Sequence, residues 1–136
     1  MKNKLEIYCD GGSRGNPGPA ASAFVVIKDG KELHEESIFL GTTTNNIAEY
    51  RAVILALEWL KKNDDKVIVD FFLDSQLVVR QLSGQYKVRS EKLIGYHDKI
   101  KSLEKSLQAN INYSFVYRNK NVISDSLVNR ELDRNK

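Results

Sequence analysis

The segment Cys9-Asp10-Gly11-Gly12-Ser13-Arg14-Gly15-Asn16-Pro17-Gly18-Pro19 follows the strand-like run Leu5-Glu6-Ile7-Tyr8 and decides how the rest of the chain is interpreted. Asp10 stands where that strand should end, so its carboxylate would lie at the edge of a glycine-rich, solvent-facing loop and could bind a metal ion. A wide turn explains the segment equally well, because glycine and proline dominate turns. The glycine spacing matches neither a dinucleotide-binding nor a Walker motif. Other residues must decide between the metal site and the turn.

Length and composition limit the class of protein. A chain of 136 residues is most economically one domain, residues 1–136, with a core that needs no disulfide or structural metal. Its single cysteine excludes an internal disulfide and a cysteine zinc cluster. No apolar run approaches the ~20 residues of a spanning helix, and the first residues lack a signal-peptide core. We therefore expect a cytoplasmic protein without a membrane partner, and a monomer. The net charge of +3 permits a polyanionic partner without requiring one.

The first half of the chain has the pattern of three strands and a helix. Strand-like runs cover residues 4–10, 20–27 and 32–40, and Asp29-Gly30 between the last two is a strong hairpin signal. After a polar connection the apolar period becomes helical from Ile47 onward, and apolar residues cover much of the girth of this helix. Glu49 should lie in its first turn and face the end of the sheet, where an unpaired carboxylate is unfavourable.

The second half adds two strands and three helices. Residues 66–73 form an apolar run that suits a central strand, and Ser75 can cap a short helix that Gly84 ends. A helix from about Ser90 to Gln108 and a strand over 110–117 follow. Ser124-Asp125 begins a last helix whose apolar residues, Ile123 included, should face the protein. The order βββαβααβα predicts an α/β fold with a mixed five-stranded sheet, three antiparallel strands followed by parallel ones, flanked by helices.

Four carboxylates fall at the ends of these predicted elements: Asp10, Glu49, Asp74 and Asp125. In open α/β sheets the site forms at the carboxyl ends of central strands, so these groups could meet at one point. Singly, each acid has an ordinary explanation as a turn former, a helix N-terminal residue or half of an ion pair. Together they would repel one another unless cations were present, and Mg²⁺ prefers oxygen ligands of this kind. Two such ions could act on a phosphodiester.

The chain resembles a type 1 ribonuclease H in four motifs that occur in order and span nearly its whole length. They are Asp10-Gly11-Gly12-Ser13-Arg14-Gly15-Asn16-Pro17-Gly18-Pro19, Thr44-Asn45-Asn46-Ile47-Ala48-Glu49, Asp74-Ser75-Gln76 and Asn121-Val122-Ile123-Ser124-Asp125-Ser126-Leu127-Val128-Asn129. The resemblance implies the ribonuclease H-like fold and hydrolysis of the RNA strand of RNA–DNA hybrids, giving 5′-phosphate and 3′-hydroxyl products. It also implies that the four acids bind two Mg²⁺ ions, with Mn²⁺ as a possible substitute.

The resemblance also assigns substrate contacts. The matching positions are Gly11, Gly12, Ser13, Asn16, Asn45 and Gln76. Small or absent side chains allow the backbone to approach a 2′-hydroxyl, and amides can bond to groove edges. Turn formation by Gly, Asn and Ser is compatible with these contacts. For Gln76, an exposed helix residue without a ligand is an equally good explanation.

This sequence departs from many bacterial members in two places. It lacks the histidine in the loop before the last acid, and it resembles instead a shorter archaeal and bacterial branch with arginine there, which is Arg118. We expect Arg118 to contact the scissile phosphate or the product, or to be a plain surface charge. We expect His34 and His97 to be structural. The basic protrusion that grips the DNA strand is also missing, so hybrid binding should be weaker and less salt-dependent.

Two other functions remain open from the sequence. One is a hybrid-binding module without catalysis, which the four acids disfavour because like charges repel phosphates. The other is a broader nuclease that also cuts double-stranded RNA. Integrases and transposases share the fold, but their acid motifs differ from those quoted above.

Overall fold

The computed structural model describes residues 3–136 and has the predicted element order. The strands are β1 (Asn3–Ser13), β2 (Gly18–Lys28), β3 (Lys31–Thr43), β4 (Val67–Leu73) and β5 (Asn110–Phe115). The helices are α1 (Asn45–Asn63), α2 (Gln76–Leu82), α3 (Glu91–Ser106) and α4 (Val122–Arg134), and a single 3-10 turn, Arg118–Lys120, precedes α4. None of the helices within residues 3–136 is both long and apolar enough to cross a lipid bilayer.

The five strands form one mixed sheet in the order β3-β2-β1-β4-β5. The first three strands are antiparallel, and β4 runs parallel to both β1 and β5. The two-residue connection Asp29-Gly30 has positive φ at both positions, 52° and 76°, as a type I′ hairpin requires. The predicted mixed sheet and its central β4 strand are therefore confirmed.

Two apolar cores lie on opposite faces of the sheet. The larger core joins α1, α2 and α3 to the sheet, while the smaller joins α4 to alternate residues of β2. Because β2 is covered on both faces, all residues from 20 to 26 are buried, so this strand shows no polar alternation. Helix α1 is likewise buried over much of its circumference, as the apolar pattern predicted.

The differences from the sequence-based expectation that bear on the site concern β1, α1 and α4. Strand β1 continues three residues past Asp10, because Gly11 to Ser13 pair with Ala20 to Ser22 of β2. The expected wide turn is thus only residues 14–17. Glu49 is the fifth residue of α1 and so lies in its second turn, not its first. Helix α4 begins at Val122, two residues early, and the Ile123 side chain is 49% exposed instead of facing the protein.

Candidate active site

Asp10 lies in β1 just beyond the last residue pair that β1 makes with β4, Tyr8 with Phe72. From there β1 remains hydrogen-bonded to β2 alone, with Asp10 opposite Ala23. The sheet thus opens between β1 and β4 at this point, and Asp74 follows the end of β4 on the other side of the opening. The Asp10 side chain is buried, and its Oδ1 accepts a hydrogen bond from the Gly11 amide at 3.0 Å.

Glu49 reaches Asp10 because α1 packs directly on the β1 backbone at Gly11. A Cβ atom at position 11 would lie 2.2 Å from the Ala48 carbonyl carbon and 2.4 Å from the Glu49 nitrogen. Only glycine permits this approach. The Ser22 hydroxyl donates to the Ala48 carbonyl at 2.6 Å and holds the same turn of α1 against β2. The carboxylate of Glu49 is therefore delivered into the sheet opening, where it is buried.

Asp74 and Asp125 are positioned by residues at the starts of α2 and α4. The Ser75 side chain caps α2 by accepting from the Val78 amide at 3.3 Å. The Asn121 side chain, buried at the start of α4, donates to Asp74 Oδ2 at 3.3 Å and to the Cys9 carbonyl at 2.9 Å. Asn121 was quoted only as part of a motif. Its contacts show that it ties α4 to both strands, a role that sequence reasoning missed.

The four predicted carboxylates converge. Single ligand atoms of Asp10, Glu49 and Asp74 lie within 4.8 Å of one another, and Asp125 lines the same cleft. Burial, followed by the charges of Asp74 and Asp125, raises the pKa of Asp10 from 3.8 to about 8. Burial and the charges of Asp10 and Asp74 also raise the pKa of Glu49, against the opposing effects of Arg118 and the Gly11 amide.

These residues fit a divalent cation. Among the described residues, one buried side-chain oxygen or nitrogen lacks a hydrogen-bond partner, and it is Oε2 of Glu49. An unsatisfied carboxylate oxygen beside two more carboxylates is unfavourable unless it is protonated or bound to a cation. Hard cations such as Mg²⁺ and Mn²⁺ favour all-oxygen sites, so a divalent metal would remove both the mutual repulsion and the missing partner.

The stability of the metal-free protein should fall as pH rises from about 4 to about 8. In this interval the folded protein keeps the Asp10 proton that the unfolded chain has released, because the folded-state pKa is about 8 and the ordinary value 3.8. Unfolding then releases a proton, so each increase in pH favours the unfolded chain, and Glu49 acts in the same direction. The measurement is melting temperature against pH in EDTA, taken as the difference from Asp10→Asn to cancel shared contributions.

Magnesium should remove most of this decline, because a divalent cation held at this site would bind the ionised carboxylates of the folded state. Its stabilising effect should therefore grow toward the upper end of the interval. A difference between wild type and Asp10→Asn that does not change with pH would contradict the raised pKa of Asp10.

The carboxylates lie in a cleft of about 500 Å³ whose walls carry most of the predicted substrate contacts. Asn45 Oδ1 accepts from the Ser13 amide at 2.8 Å and from its hydroxyl at 2.9 Å, while the Asn45 amide donates to Asn16 Oδ1 at 3.0 Å. Hydrogen bonds thus connect Asn45 to both Ser13 and Asn16. Asn16 and Gln76 are exposed, and neither is among the described residues that line the cleft.

Arg118 also lines the cleft, on the side of β5. Its guanidinium is exposed, yet near enough to Glu49 to oppose the rise in that residue's pKa. The two histidines lie elsewhere: His34 stacks on Trp59 at 5.0 Å between ring centroids, and His97 Nε2 is 3.2 Å from the Gln81 carbonyl oxygen. Both contacts are structural, as expected.

Known proteins resemble this chain over nearly its whole length. The family model described as "Reverse transcriptase-like" matches residues 8–131. The bifunctional protein Rv2228c of Mycobacterium tuberculosis is 38% identical over 133 residues, which are 96% of this chain and 36% of that protein. Ribonuclease HI of Halobacterium salinarum is 36% identical over 133 residues, which are 96% of this chain and 65% of that protein. The chain thus spans about a third of the mycobacterial relative and under two thirds of the archaeal one.

A solved structure confirms the expected fold. LC11-RNase H1, whose crystal structure was determined in complex with an RNA/DNA hybrid, superimposes with a TM-score of 0.91 at 42% sequence identity. The superposition covers 96% of this chain and 97% of that one. Since sequence and structure agree over nearly the whole length, the chain belongs to the type 1 ribonuclease H family.

Proposed function

We propose that this protein is an endonuclease that hydrolyses the RNA strand of RNA–DNA hybrids with the help of two Mg²⁺ ions. The observation that carries the proposal is the convergence of four carboxylates from four separate elements, with one buried carboxylate oxygen left without a partner. The structural relative LC11-RNase H1 binds an RNA/DNA hybrid. All four acids come from one chain, which supports action as a single domain and as a monomer.

Asp10, Glu49, Asp74 and Asp125 would hold the ions, and Mn²⁺ could replace Mg²⁺ because it accepts the same oxygen ligands. When bound, two such ions supply Lewis-acid stabilisation of phosphoryl oxygens and promote ionisation of water. The chain itself prepares this site. Asn121 holds Asp74 against β1, and the glycine at position 11 allows Glu49 to approach Asp10.

The reaction is hydrolysis of a phosphodiester. The oxygen of a water molecule forms a bond to phosphorus, the bond from phosphorus to the 3′-oxygen breaks, and that oxygen takes up a proton. The products are therefore a 3′-hydroxyl and a 5′-phosphate, and no oxidant or other co-reactant is needed.

Selection for RNA would come from the side of the cleft formed by Gly12, Ser13 and Asn45. Gly12 has no side chain, so its backbone can approach a 2′-hydroxyl, the group that distinguishes RNA from DNA. Ser13 already uses Oδ1 of Asn45, so the side-chain NH2 group of Asn45 is the one that would donate to the substrate. Gly11, Asn16 and Gln76 complete the proposed contacts, with Gln76 reaching the substrate from the start of α2.

The first test compares three labelled duplexes: RNA–DNA hybrid, double-stranded RNA and double-stranded DNA, each with Mg²⁺, with Mn²⁺ and with EDTA. We expect metal-dependent loss of the RNA strand from the hybrid and intact double-stranded DNA. Equal cleavage of hybrid and double-stranded RNA would indicate the broader nuclease. Binding to the hybrid without cleavage under either metal would instead favour a binding module and overturn the enzyme.

A second test concerns Arg118, because we propose that this residue stabilises negative charge on the scissile phosphate or the product. A fixed cation at the cleft can do this without transferring a proton. Arg118→Ala should lower kcat by about tenfold or more, with little change in melting temperature because the side chain is exposed. Lys120→Ala, in the same 3-10 turn but outside the cleft, is the matched control. Equal effects of the two substitutions would make Arg118 a plain surface charge.

A further inference from the structure

Arg14 occupies the turn between β1 and β2 and reaches across to α4. Its backbone amide donates to the Pro19 carbonyl at 2.8 Å, which fixes the turn. Its guanidinium lies 2.7 Å from Asp133 Oδ1 and donates to both the carbonyl and Oδ1 of Asn129 at 3.4 Å. The guanidinium is therefore held at a defined place on α4.

That place is close to the acids. Asn129 follows Asp125 by one helical turn, a rise of about 6 Å along the axis, and its Nδ2 donates to the Asp125 carbonyl at 3.1 Å. Arg14 and Asn129 both line the cleft that holds the four carboxylates. Asp133, one turn further along α4, is not among the lining residues. The guanidinium thus lies between the acid cluster and the outer end of α4.

The cleft needs cations if it is to hold a polyanion. Of the described residues that line it, four are acidic and two, Arg14 and Arg118, are basic. The sheet order places them on opposite sides of the acids, because Arg118 follows β5 whereas Arg14 follows β1 toward β2. A nucleic-acid backbone that crosses Asp10 and Asp74 would therefore meet one guanidinium on each side.

The contact with Asp133 is weak enough to be exchanged. The Arg14 and Asp133 side chains are 37% and 62% exposed, and an ion pair so open to solvent contributes little to stability. A phosphate, in contrast, can accept two parallel hydrogen bonds from a guanidinium and carries its own charge. Asp133 therefore keeps Arg14 oriented in the free protein without competing strongly once a phosphate arrives.

We propose that Arg14 binds a backbone phosphate of the hybrid next to the scissile one, and that it leaves Asp133 to do so. The inference rests on the proposed function, since it takes the hybrid as the ligand of this cleft. Arg14 is then a substrate-binding residue that contributes equally to the ground state and the transition state. Its loss should weaken hybrid binding and raise KM while kcat stays nearly the same.

The test measures hybrid binding by fluorescence anisotropy with Mg²⁺ in an Asp10→Asn background, so that binding is read without cleavage. Adding Arg14→Ala should raise Kd about three- to tenfold. It should also reduce the slope of log K against log salt by about 0.7–0.9, the value for one phosphate contact. Arg130→Ala is the matched control, since Arg130 makes a similar exposed ion pair between α4 and β3, with Glu35 at 3.5 Å, outside the cleft. It should change neither quantity by as much.

Removal of the carboxylate partner separates binding from a structural role. Asp133→Asn leaves Arg14 available, so hybrid binding should be as tight as in the parent or tighter. Glu35→Gln, which removes the partner of Arg130, corrects for the general loss of one negative charge. If Arg14 only tied the turn to α4, Asp133→Asn would weaken binding as much as Arg14→Ala does.

The outcomes distinguish this inference from the proposed function. Cleavage of the hybrid by the wild type, together with Arg14→Ala and Arg130→Ala of equal Kd and equal salt slope, would overturn the role of Arg14 alone. Failure of the wild type to cleave would overturn the endonuclease, while the anisotropy measurement would still decide whether Arg14 binds the hybrid. Arg14→Lys covers the case of a misfolded alanine variant: it keeps the charge and the salt slope but should lose part of the affinity that the planar guanidinium provides.

Discussion

Gly11→Ala should unfold or severely weaken the protein, with an expected loss of about 3–5 kcal/mol. The added Cβ would stand 2.2 Å from the carbonyl carbon and 2.3 Å from the carbonyl oxygen of Ala48, and neither is the end of a flexible side chain. Relief therefore requires α1 to move away from β1, and Glu49 moves with it. Because a displacement near 1 Å can cost about 100-fold in rate, activity should fall even in the molecules that stay folded.

Gly12→Ala is the matched control for stability. A Cβ at this position would meet only Val128 Cγ1 at 3.7 Å, an ordinary van der Waals contact. Urea unfolding should therefore give nearly the wild-type midpoint for Gly12→Ala and a much lower one for Gly11→Ala. Equal midpoints for the two variants would mean that α1 does not depend on the close approach to Gly11.

Asp10→Asn should lower the activity and raise the stability of the metal-free protein. Hybrid cleavage should fall about a thousand-fold or more, since the substitution removes a charged ligand from the proposed metal site, where bound ions would supply several kcal/mol. The metal-free protein should become more stable at pH 7–8. The reason is that an uncharged amide avoids the cost that burial, followed by the charges of Asp74 and Asp125, places on ionised Asp10, whose pKa they raise to about 8. For a domain of this size each kcal/mol changes the melting temperature by roughly 4 °C, so a clear rise is measurable.

Asp70→Asn is the control for this prediction. Asp70 lies on β4 four residues before Asp74, about 13 Å away along the strand, and its carboxylate is 4.0 Å from the Lys4 ammonium. Its replacement should leave cleavage intact and should not raise the melting temperature. If Asp10→Asn also failed to raise it in EDTA, the repulsion among the four acids would be too small to matter for stability.

The apolar strand-like runs, the helical period of the apolar residues and the Asp29-Gly30 signal were enough to predict most of the fold. Hairpin geometry depends on φ angles that few residues adopt, so the β2–β3 turn could be located from two residues. The four carboxylates could be chosen because each was expected at the start or end of a predicted element, although Asp10 lies within β1 and Glu49 in the second turn of α1. Residue type and sequence neighbours are enough to identify these acids and the glycine-rich segment beside Asp10.

Boundaries were harder to predict because they depend on the neighbouring strand. The glycines after Asp10 favoured a loop in the sequence, yet pairing with β2 extends β1 to Ser13. The start of α4 was also misplaced, since the Asn121 side chain bonds to Cys9 and Asp74, residues far away in sequence. Ile123 is exposed, because the buried face of α4 begins one residue later, at Ser124, and continues through Leu127 and Val128.

The sequence by itself therefore determined the element order, the strand types and the identity of the four acids, because these depend on residue type and spacing. Only the tertiary structure decided that α1 approaches β1 closely enough at Gly11 to bury Glu49, and that Glu49 Oε2 has no hydrogen-bond partner within residues 3–136. It also decided that Arg14 crosses from its turn to Asp133. These features depend on distances between segments remote in sequence, which local pattern does not encode.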